Sequence, residues 1–522
     1  MARREYGLFV LMALLTAFLL TRASTHPGYT DAFYYLNAAN RLVSGQGLTD
    51  AYLWNYVNAP DGLPADAFRY WMPLASLCAA FGMWLGNAPG SYAAAQWPFV
   101  AMYAALALTG FWLGATLGGS RRHAWLGGLL MLFSGFFVRF WGEISTFAPY
   151  GLVGAWCLIA TGLAIKQRRS GWLFIAGLCA GLGHLARADG VLLLLVVYVA
   201  VLWEAWNTRL SDTGQRFGWR RGLLSLMIGY LLPMTPWFLR NLALFGAPLP
   251  AGGLQAIWFR EYDDLFSYPF AASAQTFFAD GIGLLLNSRW TALSTNLMRF
   301  VAEQGWIVLA PLILVGLWRR RRLPFLRAFW LYVLGLHIVM TFVFAYPGFR
   351  GGLFHSSAAL LPFWAILGVL GLDDVVDWIA RRRRHWRAAS AKLVFSGGVL
   401  ALAVILSLLA SRPANSVPAP FYVELRQTLA PDARVMINDP AALYYFTGLG
   451  GVVLPNNAPD VIPEIAQRYG ATHVLLRYVT LPSGERIPDA PRALWFDPDA
   501  PPAFLIEIPL ETPDVRLYAI RP

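Results

Sequence analysis

Apolar runs of about 20 residues recur along the first 411 positions of this 522-residue chain, and each is long enough to cross a bilayer. Hydrocarbon offers the backbone no hydrogen-bonding partner, so such runs must form helices that satisfy their own peptide groups. The composition agrees, because 57% of the residues are hydrophobic and only 13% are charged. We therefore predict a polytopic α-helical membrane protein, which excludes a soluble enzyme.

The apolar runs predict about eleven transmembrane helices. They cover residues 6–22, 92–117, 124–141, 147–165, 171–186, 190–206, 222–241, 305–318, 327–346, 354–377 and 391–411. Every basic cluster follows an even-numbered span, so the positive-inside rule predicts a cytoplasmic N-terminus and an extracytoplasmic C-terminal region. We expect a multi-pass protein of the plasma membrane. The net charge of +12 is accounted for by these topological arginines, so no nucleic-acid partner is expected.

Two external stretches interrupt the spans of the predicted transmembrane domain, residues 1–411. The first, 23–91, contains two apolar segments: 32–44 has helical spacing, and 72–86 is too short to cross the bilayer comfortably. We predict two juxtamembrane helices there, the second of them interfacial or re-entrant. The second stretch, 242–304, is long for an idle connection and is a candidate lid or substrate loop.

Residues 412–522 are more polar and have a different sequence pattern, in which short apolar strands alternate with helical stretches. Strands are predicted at 434–437, 452–454, 473–476, 504–508 and 515–520, with a helix at 460–468. This alternation predicts a small soluble α/β domain on the outer face of the membrane unit.

Polar and ionisable residues collect at the external ends of the predicted spans, where their default interpretation is functional. They are Asp31, Arg69, Glu143, Arg187, Asp189, Arg240, Asn241, Arg350 and His355. Structural alternatives stay open at this stage. Asp31 is well placed to cap a helix beginning at Ala32, Arg187 and Asp189 are close enough in sequence to pair, and Arg240 can snorkel to the interface. Glu143, Arg350 and His355 also fit ordinary loop charges.

Together, these residue types suit transfer of a sugar from a lipid phosphate. The departing phosphate gains charge as the bond to C1 breaks, and arginine matches phosphate oxygens while staying protonated. A carboxylate can take the proton of the acceptor. Alternatively, Asp31 and Glu143 could hold a divalent ion such as Mg²⁺ or Mn²⁺, although the sequence makes no cofactor certain.

Several motifs also resemble the GT-C superfold of polyprenyl-phosphate-dependent glycosyltransferases. This group includes protein O-mannosyltransferases, lipid A aminoarabinose transferases and catalytic subunits of oligosaccharyltransferases. The motifs are Asp31 followed by Tyr34 and Tyr35, Asn-Arg-Leu-x-x-Gly-x-Gly at 40–47, Trp-Met-Pro-Leu at 71–74, Leu-Ala-Arg-Ala-Asp-Gly at 185–190 and Pro-Trp-Phe-Leu-Arg-Asn at 236–241. In this order they span the whole membrane part.

The resemblance implies that Asp31 is the catalytic or metal-binding acid of the first external loop, with two juxtamembrane helices beside it. It also implies a lipid-linked donor and the same topology that the arginines predict. Two features depart from the group. Ala32 follows Asp31 where Asp-Glu is common, and the Trp-Trp-Asp signature of oligosaccharyltransferases is absent. The branch and the metal dependence are therefore left open.

The resulting hypothesis is an inverting glycosyltransferase that uses a polyprenyl-phosphate sugar at the extracytoplasmic face. Asp31 is the expected base or metal ligand, and Glu143 is a second acid. The expected substrate-binding residues are Tyr35, Arg69, Arg187, Asp189, Arg240, Asn241, Arg350 and His355. The acceptor is a glycan, lipid or protein. Two alternatives remain: a transporter or flippase of lipid-linked sugars, and a non-catalytic assembly factor that binds them.

Overall fold

The computed structural model describes residues 3–209, 218–250, 252–279, 281–383, 385–411, 419–481, 486–488 and 500–521. We number the α-helices in chain order. They are α1 Arg3–Arg22, α2 Thr30–Val43, α3 Leu74–Leu85, α4 Tyr92–Ala95, α5 Trp97–Leu113, α6 Arg121–Leu132, α7 Val138–Trp141, α8 Phe147–Gln167, α9 Gly171–Ala186, α10 Val191–Arg209, α11 Trp219–Phe245, α12 Gly252–Gln255, α13 Ala274–Ala279, α14 Gly281–Arg299, α15 Ala310–Arg320, α16 Arg327–Ile338, α17 Ala345–Pro347, α18 Leu353–Ser357, α19 Leu361–Ala380, α20 Ala388–Ala410, α21 Pro420–Thr428, α22 Pro440–Thr447 and α23 Ile462–Tyr469.

The strands are numbered in the same way. They are β1 Thr49–Asp50, β2 Tyr52–Leu53, β3 Ala65–Asp66, β4 Arg434–Ile437, β5 Gly450–Val453, β6 His473–Thr480, β7 Arg486–Pro488, β8 Leu505–Ile508 and β9 Val515–Ile520. A polytopic helical protein with a small C-terminal sheet region is the predicted fold class, and the structure confirms it.

Eight helical segments of the described chain are long and apolar enough to cross a membrane. They are Arg3–Arg22, Tyr92–Gly118, Phe147–Gln167, Ala188–Asn207, Trp219–Phe245, Pro324–Val343, Ala345–Ala380 and Ala388–Ala410. The predicted span at 124–141 is a pair of helices bent by 50°, which would make a ninth. The other two predicted spans correspond to the 16-residue α9 and the 11-residue α15. Left-handed backbone at Trp306 and Ile307 breaks the helix ahead of α15, which shortens it.

The spans differ in how deeply they are packed inside the protein. In an apolar 18-residue stretch of each, 89% of the residues are buried in Ala345–Ala380 and 83% in Phe147–Gln167, whereas only 17% are buried in Ala388–Ala410. Close approach of α15 and α19 depends on glycine, because a Cβ on Gly371 would overlap the carbonyl of Leu312. The first two segments therefore form the centre of the membrane unit, and α20 presents its apolar side chains outward.

The first external loop contains both helices predicted for it. Helix α2 begins at Thr30, slightly earlier than the predicted residue 32, and α3 is a 12-residue apolar helix. Between them, β1 and β3 form a two-stranded antiparallel ribbon. The second predicted loop, 242–304, is mostly helical rather than extended: α11 runs on to Phe245, and the 19-residue α14 takes up much of the remainder.

The C-terminal sheet has the strand order β2-β5-β4-β6-β9-β8, and β7 pairs with β6. Strands β2, β5, β4 and β6 run parallel, while β9 and β8 add antiparallel. The edge strand β2 belongs to the first external loop, where Tyr52 pairs with Gly451. The predicted domain boundary at 411/412 adjoins residues 412–418, which lie outside the described residues. The division into domains stays a prediction, and the sheet itself draws one strand from the membrane part.

Candidate functional site

Asp31 lies in the first turn of α2, which follows the first apolar helix in the chain. The N-cap of this helix is Tyr29, and no side chain makes a capping hydrogen bond there. The residue is only partly exposed, and within the described residues no side chain hydrogen-bonds to its carboxyl. Asp31 therefore does not cap α2, which was the structural alternative to a catalytic role. Burial raises the pKa of Asp31 to about 6, Arg187 lowers it and Asp439 raises it further.

Arg187 and Asp189 lie on a tight turn between α9 and α10. Arg187 is extended, and the turn is a short 3₁₀ segment in which a Cβ on Gly190 would overlap the carbonyl of Gly183. The Arg187 Nε donates to Asp189 Oδ1 at 2.8 Å and to Ser356 Oγ at 2.9 Å. The predicted pairing alternative thus holds for these two residues. The pairing does not isolate Arg187, because its charge also acts on Asp31.

His355 and Ser356 bring the segment around α18 to the same place. The Nδ1 of His355 lies 2.8 Å from the Thr146 hydroxyl, and its ring stacks on Phe147 with centroids 3.9 Å apart. Its neighbour Ser356 donates to Asp189. Tyr35 completes this set from α2, because burial and the Asp31 charge raise the pKa of its hydroxyl. We call Asp31, Tyr35, Arg187, Asp189 and His355 the Asp31 group.

Glu143 lies close to this group and is only 3% exposed. Its Oε1 accepts from the Gly28 amide at 3.0 Å and from the Tyr92 hydroxyl at 3.1 Å. Burial raises the pKa of Glu143 to about 7. The two acids share one neighbour, since burial and then the charges of Asp31 and Glu143 raise the pKa of Tyr29. Glu143 therefore holds together the chain that leads into α2.

Arg69, Arg240 and Asn241 form a second group around a carboxyl that the sequence did not single out, Asp50. Arg240 donates to the Ala67 carbonyl at 3.1 Å and to Asn241 at 3.1 Å. The bond to Ala67 shows that Arg240 faces the first loop rather than snorkelling towards lipid, and its guanidinium also lies 4.7 Å from the Trp237 ring centroid. Arg69 lies over the ring of Phe245 at 4.9 Å. We call Asp50, Arg69, Arg240 and Asn241 the Asp50 group.

Asp50 accepts from the Tyr34 hydroxyl at 3.0 Å, and burial raises its pKa to about 7 against the opposing charges of Arg41, Arg240 and Arg69. It lines a small open pocket of about 20 Å³ with Asp66, Arg69 and Tyr70 among others. That is room for about one water molecule or one hydroxyl group. Strand β1 is only two residues long, so its sequence shows no alternating pattern that could have indicated Asp50. The only signal in the sequence was the position of this acid directly after Gly-x-Gly-Leu-Thr.

Tyr70 connects the two groups with Arg350. Burial raises the pKa of its hydroxyl, and the charges of Tyr262 and Asp31 add to the effect. The Arg350 guanidinium lies 4.6 Å from the Tyr262 ring centroid. All the residues predicted for the site therefore lie in or beside one region, where the first loop, the 186–190 turn, the end of α11 and the 345–357 segment meet.

The residues present do not form a metal site by themselves. Within the described part of the chain, no group of three or more His, Cys, Asp or Glu side chains is arranged to hold an ion. The Oε1 of Glu143 is already used by two donors. Within the described residues, the predicted pair Asp31 and Glu143 is therefore joined by no third such side chain, and we derive no step through a metal.

No protein-family model and no curated protein sequence matches this chain. Solved structures do. The ArnT structure from Cupriavidus metallidurans bound to undecaprenyl phosphate matches with a TM-score of 0.59 and 13% identity, covering 99% of this chain and 98% of that one. The oligosaccharyltransferase of Archaeoglobus fulgidus, in complex with Zn and sulfate, matches with a TM-score of 0.58 and 13% identity. The match covers 92% of this chain and 72% of that one.

A third similar structure is the mycobacterial arabinofuranosyltransferase AftD, with a TM-score of 0.54 and 14% identity. The match covers 100% of this chain but 42% of AftD. All three structural neighbours are GT-C glycosyltransferases. The chain therefore has the GT-C fold, which confirms the resemblance seen in its motifs. At these identities the likeness concerns the fold, and the activity has to be argued from the site.

Proposed function

We propose that this protein is a membrane glycosyltransferase that moves a sugar from a polyprenyl-phosphate donor to an acceptor at the extracytoplasmic face. The observation that carries the proposal is Asp31. It is partly exposed in the first external loop of a GT-C fold, and no side chain of the described residues hydrogen-bonds to it. A carboxyl with a pKa of about 6 is ionised near neutral pH yet basic enough to take a proton.

The reaction is an inverting displacement. The Asp31 carboxylate removes the proton from the acceptor hydroxyl or amine as the acceptor attacks C1 of the sugar. The bond from C1 to the phosphate oxygen breaks, and the polyprenyl phosphate leaves with the bonding electron pair. Asp31 ends the step protonated. The attack comes from the side opposite the phosphate, so the configuration at C1 inverts.

The leaving phosphate is stabilised by cations around Asp31. Arg187 belongs to the same group, and Arg350 lies beside it through Tyr262 and Tyr70. Arg69 and Arg240, with Asn241, supply further donors from the Asp50 group. His355 and Tyr35 contact the sugar or its phosphate. Planar guanidinium groups suit this role because they hold charge at any physiological pH and pair with two oxygens at once.

Two of the similar structures bear on the donor. ArnT was crystallised bound to undecaprenyl phosphate, and the archaeal oligosaccharyltransferase AglB was solved with a dolichol phosphate, at a TM-score of 0.50 to this chain. These ligands belong to those proteins. They support a lipid-phosphate donor here because the present site offers arginines at the mouth of the same fold. The donor sugar and the acceptor, whether glycan, lipid or protein, are to be found by assay.

The test is transfer of radiolabel from a panel of polyprenyl-phosphate sugars, in membranes containing the protein and in control membranes without it. The proposal predicts a labelled acceptor and free polyprenyl phosphate as products, with inverted configuration at C1. Label that crosses the bilayer still attached to its lipid would indicate the transporter alternative instead. Bound donor that is never cleaved with any acceptor fraction would indicate the assembly-factor alternative.

A further inference from the structure

The first turn of α2, which carries Asp31, is tied to the C-terminal sheet region. Thr30 precedes Asp31 in the chain, and its hydroxyl donates to Asp439 Oδ2 at 2.8 Å. Asp439 is the N-cap of α22, and its other oxygen accepts from the Ala442 amide at 3.1 Å. One carboxylate thus holds the start of two helices that lie 409 residues apart in the chain.

The tie continues along both helices. Asn37 donates to the Ala441 carbonyl at 2.8 Å, and Arg41 donates to the Tyr444 hydroxyl at 3.0 Å. Phe33 packs against Tyr445, with ring centroids 5.2 Å apart. Helix α22, which is 8 residues long, therefore lies along α2 over about two turns and helps to fix its position and rotation.

Asp439 also acts on Asp31 by its charge. Two charged groups face Asp31 strongly enough to shift its ionisation: Arg187 from the 186–190 turn and Asp439 from the start of α22. Three tyrosine hydroxyls also feel the Asp31 charge, those of Tyr29, Tyr35 and Tyr70. Arginine favours the carboxylate form, and a second carboxylate opposes it.

We propose that Asp439 is a positioning residue for Asp31, so that the C-terminal region is a working part of the catalytic site. This inference rests on the proposed function of Asp31 as the base. Through Thr30, Asp439 sets where the Asp31 carboxyl stands. Through its charge, it keeps Asp31 more basic than Arg187 alone would leave it.

The experiment compares three variants of the full-length protein in membranes. Asp439→Asn keeps a side chain that can bond to both Thr30 and Ala442 but removes the charge. Thr30→Val removes the hydroxyl but keeps a side chain of similar shape, and Asp439 can still cap α22. The matched control is Tyr469→Phe, which deletes another hydroxyl joining the C-terminal region to the first loop, donated to the Pro60 carbonyl at 3.0 Å.

We expect Asp439→Asn to shift the pH dependence of the transfer rate. The inflection that reports the ionisation of Asp31 should move to a lower pH, because the negative charge of Asp439, which opposes that ionisation, is gone. Thr30→Val should lower kcat by about tenfold or more with little change in the donor KM, since small misplacements of a reacting group are costly. Tyr469→Phe should match the wild type in both. If Asp439→Asn keeps the wild-type pH profile and Thr30→Val keeps the wild-type kcat, the inference is wrong.

A second measurement keeps the inference separate from the proposed function. The difference in thermal unfolding between the wild type and Asp31→Asn, followed against pH, reports the ionisation of Asp31 without any reaction. The pH range over which this difference changes should end near the wild-type pKa of about 6, and the midpoint of the change should shift to lower pH in the Asp439→Asn background. A midpoint that does not shift overturns the role of Asp439 even if sugar transfer is confirmed. A protein that shifts the midpoint but transfers no sugar refutes the proposed function alone.

Discussion

At the scale of single residues, three carboxyls of the site have pKa values raised by burial, but their surroundings differ. Glu143 and Asp50 each accept a hydrogen bond from a tyrosine hydroxyl, Tyr92 and Tyr34 respectively. Asp31 is partly exposed and has no such side-chain donor within the described residues. We therefore expect Glu143 and Asp50 to stabilise the structure around the site, and Asp31 to accept the proton in the proposed transfer.

The ionisation of Asp31 should control the pH dependence of transfer. The pKa of its carboxyl is about 6, so the base form grows as the pH rises through that value. We expect the transfer rate to increase between about pH 5 and about pH 8, with an inflection near 6. The rate is measured at saturating donor across this range. A rate that falls as the pH rises through 6 would assign Asp31 the opposite role, that of an acid.

Glu143 should make stability depend on pH. Its pKa is raised to about 7 by burial, so the stability it contributes is complete below its ordinary pKa and is lost as the pH rises through about 7. Glu143→Gln keeps an oxygen for Gly28 and Tyr92 but cannot ionise. We therefore expect the wild-type Tm to fall relative to Glu143→Gln between about pH 5 and about pH 8. A constant difference in Tm over that range would show that Glu143 does not titrate there.

At the scale of elements, the turn between α9 and α10 carries Arg187 and Asp189 to the site. It can be this tight because residue 190 has no side chain: a Cβ there would meet the carbonyl of Gly183. Ser356 then joins the turn to α18 through the Arg187 side chain at 2.9 Å. Backbone packing, rather than the charged pair alone, thus fixes where the arginine stands.

Gly190→Ala should therefore be destabilising by about 1–3 kcal/mol, the usual range for overpacking a tight contact. Gly397→Ala is the matched control, because nothing lies within 4 Å of a Cβ at that position in α20. There the better helix propensity of alanine should be neutral or slightly stabilising. Thermal unfolding in detergent measures both variants. Equal Tm values for them would contradict the close packing of the turn.

At the scale of the whole molecule, the first external loop belongs to both parts of the protein. It supplies α2 with Asp31 to the site and strand β2 to the C-terminal sheet, where Tyr52 pairs with Gly451. Asn456 in turn donates to the Phe266 carbonyl, which ties the segment after α12 to the same region. The membrane unit, the first loop and the C-terminal region are thus joined around the mouth of the site.

The topology predicted from the arginines can be tested on the same scale. We expect Asp432, exposed in the C-terminal region, and Arg321, exposed after α15, to lie on opposite sides of the membrane. In a background without native cysteines, an impermeant maleimide should label Asp432→Cys in intact cells and Arg321→Cys only after lysis. Labelling of Arg321→Cys alone in intact cells would invert the topology and move the site to the cytoplasm.

The sequence was enough to predict the membrane fold and most helices, because long apolar runs leave the backbone few alternatives. It also predicted the short strands of the C-terminal region from their apolar alternation. It did not predict β2, since two residues show no periodicity. Nor did it predict Asp50 or Asp439. Asp50 is made a site residue by Tyr34 and three arginines, and Asp439 reaches Thr30 across 409 positions. Such contacts arise from tertiary packing, which no local pattern encodes.

If the Asp31 carboxylate takes the proton in sugar transfer, the transfer rate of Asp31→Asn should be far below that of the wild type. The control is Asp61→Asn, in the same loop, where an exposed carboxylate pairs with Arg468 at 2.9 Å. We expect Asp31→Asn to lose transfer by about 100-fold or more while folding normally and still binding donor, and Asp61→Asn to retain transfer. Transfer at the wild-type rate by a folded Asp31→Asn protein would show that this carboxylate is not the base.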